Sequence, residues 1–306
     1  MSHSLIKKGD RGSDVALCQR SLTEKGYPTT VDSIFGPGTE AKVKEFQGDN
    51  GLSVDGIVGQ NTWRLLLKVV DSCGIEKKHI VHNGKLIPIG WDKVVLWHEP
   101  GGLAIKPGRY YDNSQKDERK PTMFVNHWDV CLSAESCTNI LNDRGVSVHF
   151  CLDNDGTIYQ VLDTQHGGWH CSRAAGNKKS IGIEISNAYY QKYQKTYVKN
   201  GFGERPIQTE GLVHGRKLNP FLWFYPRQIE ALKALWTAVS VSYGIPLVYP
   251  QNDDGTPCTT THEGCIKGTF EGFCNHYNFT DRKIDCAGLD MPGLIEEVKV
   301  FLPDDD

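Results

Sequence analysis

The sequence predicts an α/β protein in which a mixed central sheet is flanked by helices and preceded by a small three-helix domain. Three observations carry this prediction. A short motif repeats near the N-terminus, and each copy leads into a helical pattern. From Pro121 onward, apolar runs of strand character alternate with stretches of helical period, the order that gives a sheet covered by helices. The length of 306 residues allows about two domains at roughly 100–200 residues each.

The first unit, residues 1–70, is read from its repeat. Val31-Asp32-Ser33-Ile34-Phe35-Gly36 returns as Val54-Asp55-Gly56-Ile57-Val58-Gly59. Each copy runs into a threonine, Thr39 or Thr62, and then an apolar stretch, which reads as a glycine turn followed by a helix with a hydroxyl cap. Upstream, Val15, Cys18 and Leu22 lie at i, i+3 and i+7, one face of a helix that Gly26 can close. The segments Gly12-x-Asp14-Val15, Leu17-x-Gln19, Asp32-x-x-Phe35-Gly36, Phe46-Gln47 and Asp55-Gly56-x-Val58-Gly59-x-x-Thr62-Trp63 resemble the peptidoglycan-binding domain found beside many cell-wall hydrolases. That resemblance implies a bacterial wall polymer as partner.

Residues 71–120 read as a structured connector or an extension of the domain that follows. Val94-Val95-Leu96-Trp97 is a buried strand, Pro100-Gly101-Gly102 a turn, and residues 112–120 a polar loop. In residues 121–306, Met123-Phe124-Val125-Asn126-His127 forms a strand. Residues 146–152 and 157–161 form two more, joined by the hairpin turn Asp153-Asn154-Asp155-Gly156. Residues 180–186 are a further strand. Ile229, Leu232, Leu235, Trp236 and Val239 share a helical face that ends at Gly244, and Leu294, Ile295 and Val298 mark a last helix. Residues 187–226, rich in Tyr, Gly and Pro, read as an insertion at the rim of a cleft.

Composition excludes several function classes. Lys and Arg total 34 and Asp and Glu 37, a formal charge of −3, without the basic excess of an electrostatic nucleic-acid binder. No stretch of about 18 uncharged apolar residues occurs, so membrane insertion is not expected. The first ten residues lack an apolar run of about 7–15, so synthesis in the cytoplasm without a secretory signal is expected. The ten cysteines are then expected to be reduced thiols packed as small hydrophobes. A monomer is the expected state.

Three pieces of the chain hold side chains suited to hydrolytic chemistry: His127 at a strand end, Glu184 within Ser180-Ile181-Gly182-Ile183-Glu184-Ile185, and the run from Asn275-His276 to Asp285-Cys286. A catalytic zinc takes three protein ligands from His, Cys and carboxylate groups and keeps a place for water. His127 and His276 lie too far apart in sequence for a zinc finger, so only a folded domain could unite them. Residue chemistry alone leaves any of the eleven histidines free to be core or surface.

Read in order, His127, His149-Phe150-x-x-Asp153-x-Asp155-Gly156, Trp169-His170, Asn177, Ser180-Ile181-Gly182-Ile183-Glu184, His276 and Arg282-Lys283-x-Asp285 resemble the zinc-dependent N-acetylmuramoyl-L-alanine amidases. That family spans phage lysozymes with amidase activity, bacterial recycling amidases and animal peptidoglycan recognition proteins. The resemblance implies Zn2+ held by His127, His276 and Asp285, with Cys286 as the alternative third ligand. It implies Glu184 as general base, all the more because Val148 stands where some phage members place a tyrosine. Lys283 would stabilise charge on the amide oxygen, and His170, Asn177 and His149 would touch substrate or support a ligand. Cys131 and Cys137 match a pair that recognition proteins carry as a disulfide.

The function so implied is hydrolysis of the amide between N-acetylmuramic acid and L-alanine, for cell-wall lysis by a phage endolysin. A cytoplasmic muropeptide-recycling amidase and a non-catalytic peptidoglycan recognition protein compete with it. The first has no use for a polymer-binding module, and the second would lack a ligand or the base.

Overall fold

The computed structural model of the protein describes residues 5–66, 69–70 and 76–300. Three helices open it: α1 (Ser13–Glu24), α2 (Pro37–Asp49) and α3 (Gln60–Leu66). Val15, Cys18 and Leu22 of α1 are buried with Phe35, Val43, Phe46 and Trp63, as the spacing predicts.

The repeat has a different cause from the expected hydroxyl caps. Gly36, not a threonine, precedes α2, and Pro37 opens it, where its missing N–H costs nothing. Thr39 and Thr62 instead accept hydrogen bonds from buried glutamines. Gln19 Nε2 donates to Asp32 Oδ1 (2.8 Å), Ile34 O (3.0 Å) and Thr39 Oγ1 (3.0 Å), while its Oε1 accepts from Asp32 N and Ser33 N. Gln47 repeats the pattern on Asp55 Oδ1 (2.8 Å), Ile57 O (2.9 Å) and Thr62 Oγ1 (3.2 Å), with Gly56 N donating to its Oε1. Each motif copy is thus a cage for one amide, and buried amides must be paired.

A hairpin follows, His79–His82 against Lys85–Pro88. Its turn, Asn83 and Gly84, has φ of 47° and 72°, the pair of positive values a two-residue hairpin turn requires. Gly84 sits on α1: a Cβ there would lie 2.9 Å from Leu17 N and Cα. The N-terminal helices share one continuous apolar core with the hairpin and the sheet beyond.

The sheet has six strands: β1 (Val94–Leu96), β2 (Met123–Trp128), β3 (Phe150–Leu152), β4 (Ile158–Gln160), β5 (Ser180–Ile185) and β6 (Gly272–Asn275). Their order is β6-β2-β5-β3-β4-β1. The first four run parallel, β4 turns back antiparallel to β3, and β1 pairs parallel to β4. The sheet is therefore mixed, and the block before Pro121 supplies its edge strand. Residues 146–149 lie outside β3, which is shorter than the alternation suggests.

Side chains alternate between the two faces. Phe124 of β2 and Ile181, Ile183 and Ile185 of β5 are buried in the core that also holds Trp236 of helix α7 (Pro226–Tyr243) and Leu294 of α9 (Met291–Lys299). The other face carries His127, Ser180, Gly182 and Glu184. Helices α4 (Ala134–Arg144), α5 (Ala174–Lys179), α6 (Gln194–Lys199) and α8 (Glu263–Lys267) complete the fold. Residues 187–226 include α6 and two short antiparallel pairings. Buried Arg205 pins this insertion, donating to Trp223 O, Ser186 O and Gln228 Oε1 between the rings of Tyr197 and Tyr225. Among the described residues no helix is long and apolar enough to cross a membrane.

Candidate metal centre and cleft

Strand register builds the site. In β2 and β5, His127 stands directly opposite Glu184, so both side chains leave the same face. In β6 and β2, Asn275 stands opposite Asn126, which places His276 one step on, beside His127. His276 begins a short 3-10 turn, and the loop after it returns so that Asp285 O accepts from Tyr277 N (3.1 Å). Three buried ligand atoms converge: His127 Nδ1 and His276 Nδ1 are 2.9 Å apart, and Asp285 Oδ2 lies 3.2 Å and 2.9 Å from them. The Cys286 thiol is buried in the main apolar core.

The local electrostatics suit a cation. Burial opposes ionisation of Asp285, but the His276 and His127 rings outweigh it and hold the carboxyl far below its ordinary range. Burial, then the adjacent His276, pulls His127 down to about 4. The cluster is therefore two imidazole nitrogens and one carboxylate, a donor set that fits a divalent transition metal.

Glu184 lines both sides of the cleft. Its Oε2 is buried without a hydrogen-bond partner. Burial first, then the carboxylates of Asp285 and Asp129, raise its pKa well above the usual range, with Lys283 opposing. A carboxyl whose charge is disfavoured in this way takes up a proton more readily than a solvated one.

Two hollows, about 420 and 300 Å³, meet at Arg144, Glu184, His276 and Lys283. The first is bordered by Tyr111, Trp169, His170 and Asn177, the second by Trp128, Tyr189 and Tyr190. The insertion thus does reach the cleft rim, through its two tyrosines. A larger hollow of about 620 Å³ lies away from this chemistry, between Trp91 and α7, and its charged members Glu230 and Lys233 pair with each other at 2.7 Å.

The remaining expected residues divide. Lys283 lines both hollows. Asn177 borders the cleft, but its Oδ1 accepts from His170 N and Cys171 N and so shapes the backbone. His170 touches the ligand cluster, Nδ1 to His127 Nε2 at 3.0 Å. His149 does not: Gly182 N donates to its Nδ1 and its Nε2 lies 3.0 Å from His166 O, which leaves neither nitrogen free for substrate or for a ligand. The expectation at His149 is corrected on that ground. Trp169 borders the cleft beside His170. Cys131 and Cys137 are free thiols, buried near Asp129.

Sequence reasoning missed Asp129, whose carboxylate accepts from Cys131 N (2.8 Å), Asn187 N (2.9 Å) and Ser186 Oγ (3.1 Å). It ties the loop after β2 to the loop after β5 on one side of the cleft. It missed Arg144 as well, because a charged residue ending a helix carries no local mark of a site.

Comparison with known proteins gives the family. Residues 11–66 match the family model described as a peptidoglycan binding domain, and residues 117–285 the one described as N-acetylmuramoyl-L-alanine amidase. A spore cortex-lytic enzyme of Bacillus cereus is 40% identical over 68 residues, 22% of this chain and 26% of its own length. A zinc D-Ala-D-Ala carboxypeptidase of Streptomyces albus G is 35% identical over 71 residues, 22% and 27% of the two chains. The chain thus spans about a quarter of the length of these curated relatives. The solved N-acetylmuramoyl-L-alanine amidase LysC of Clostridium intestinale is 16% identical, with 70% of this chain and 100% of that one covered at a TM-score of 0.39. The amidase match takes in more than half of the 306 residues, its span running from before His127 to Asp285, and the chain belongs to the N-acetylmuramoyl-L-alanine amidase family.

Proposed function

We propose that this chain hydrolyses the amide between the lactyl group of N-acetylmuramic acid and L-alanine in peptidoglycan, with zinc held by His127, His276 and Asp285. One observation supports the reading most: three buried ligand atoms converge within 3.2 Å of one another, in a cleft shared with half-buried Glu184, whose Oε2 has no hydrogen-bond partner. Two imidazoles and a carboxylate leave a fourth position for solvent or substrate, as in catalytic zinc sites. When bound, the ion supplies Lewis acidity towards a carbonyl oxygen and lowers the pKa of water towards about 7.

The side chains supply the rest. Glu184, on the strand next to His127, takes the proton of the attacking water and passes it to the leaving amine. Lys283, on the lip where the two hollows meet, faces the negative charge that develops on the amide oxygen. Residues 1–70 hold the polymer, which raises the local concentration of cleavable bonds. A module of that kind is useful on an intact wall and not on soluble fragments, which favours a lytic enzyme of endolysin type over a recycling amidase.

The test uses purified cell walls and counts new amino groups against new reducing ends. The reading requires amines without reducing ends, activity lost on rigorous chelation and restored by zinc, and a large loss in Glu184→Gln. Full activity after chelation would overturn it. Intact zinc content with no turnover in the unmodified chain would favour the non-catalytic recognition protein.

A further inference from the structure

We propose that His170 is a positioning residue: through a directed hydrogen-bond chain ending on a backbone carbonyl, it fixes which nitrogen His127 presents to the metal. This rests on the metal reading above.

The chain has three hydrogen bonds. His127 Nδ1 faces His276 and Asp285, and its Nε2 lies 3.0 Å from His170 Nδ1. His170 Nε2 lies 3.1 Å from Ser180 Oγ, and Ser180 Oγ donates to Gly176 O at 2.8 Å. A carbonyl has no proton to give, so direction is set from this end. The single Ser180 hydrogen is committed to Gly176 O, so the Ser180 oxygen must accept from His170 Nε2–H. A neutral imidazole carries one N–H, which leaves His170 Nδ1 bare, to accept from His127 Nε2–H. His127 Nδ1 is then the nitrogen with a free lone pair, and it is the one aimed at the cluster. The reverse sense would put the proton on His127 Nδ1, where it could not ligate.

The fold reserves space for the His170 ring. A Cβ on Gly182 would lie 2.7–2.9 Å from its Cε1, Nδ1 and Cγ, and one on Gly168 would lie 2.9 Å from its Cδ2. The His170 backbone is held by Asn177 Oδ1, which accepts its N–H at 3.0 Å. The His127 and His170 rings meet edge to face, 85° apart in plane. A metal-bound histidine ordinarily donates its other N–H to a carboxylate, a carbonyl or water. Here an imidazole takes that place, so the ligand is oriented without a second negative charge beside Asp285.

The experiment measures zinc affinity of the whole chain by competition with a chromophoric chelator, together with 15N shifts of the histidines in the zinc-free protein. The unmodified chain should bind one zinc tightly and show His127 protonated on Nε2. If it binds none, the metal reading fails and takes this proposal with it. If it binds, His170→Ala should weaken affinity about 10- to 100-fold. His170→Asn, which returns an acceptor to the Nδ1 position, should recover most of the loss. Ser180→Ala frees the direction of the chain and should leave His127 as a mixture of tautomers, a readout that stands even where His170→Ala fails to fold. Unchanged zinc affinity in folded His170→Ala, or a zinc-free His127 protonated on Nδ1, would overturn the proposal.

Discussion

Gln47 in the N-terminal module and Glu184 in the sheet differ by a single terminal group, and each has a polar atom shut away from solvent. Gln47 is 1% exposed, its amide nitrogen has three acceptors and its oxygen takes a backbone N–H. Glu184 keeps a buried oxygen with no partner and has two carboxylates for neighbours. A polar group with every bond made is a fastener, because breaking it costs the desolvation of each orphaned atom. One left short is expensive to charge, and it takes up a proton more readily. The molecule uses the first arrangement twice in its smallest domain, where apolar area is scarce, and the second at the cleft.

Exchanging the two residues tests the contrast at full strength. Glu184→Gln should fold and lose about 10²- to 10⁴-fold in amine release from walls, the usual worth of a general base. Gln47→Glu should act in the opposite sense. It sets a charge against Asp55 Oδ1 and Ile57 O, and urea unfolding should show a loss on the order of 3 kcal/mol or more, with the cleft chemistry untouched.

A smaller effect follows from pH. In the zinc-free protein, burial, Asp285 and Asp129 raise the folded Glu184 pKa above its unfolded value. The folded state then binds the proton more tightly, so this stabilisation is complete below the unfolded value of about 4.3 and is lost as pH rises through the raised one. Glu184→Gln removes the loss. Thermal unfolding of zinc-free protein should therefore show the variant gaining on the unmodified chain as pH rises above about 4.3. A difference that shrinks with rising pH would refute the burial argument. The smallest change is Thr62→Val, which deletes one acceptor of Gln47 and should cost about 1 kcal/mol in the same urea experiment.

Elements set by neighbours in sequence were legible in advance. The α1 face, the turn at residues 153–156, the His127 strand and the Gly244 stop all follow from local period or backbone preference, and the observed structure keeps them. Roles set by distant partners were harder to read. Thr39 looked like a cap because its partner, Gln19, lies 20 residues away. His149 and His170 looked alike, and only the packing shows that one is spent on backbone groups while the other touches His127. The short strand of residues 94–96 could be read, but not that it would extend the sheet from outside the main alternating region. Which of Asp285 and Cys286 faces His127 and His276 depends on how a loop folds back, which no spacing rule contains.

The glycine in the hairpin turn has a mechanical consequence. With Gly84 seated on the Leu17 backbone, a side chain at this turn would push the hairpin off α1. The closeness of hairpin and helix is written into a side chain that is not there.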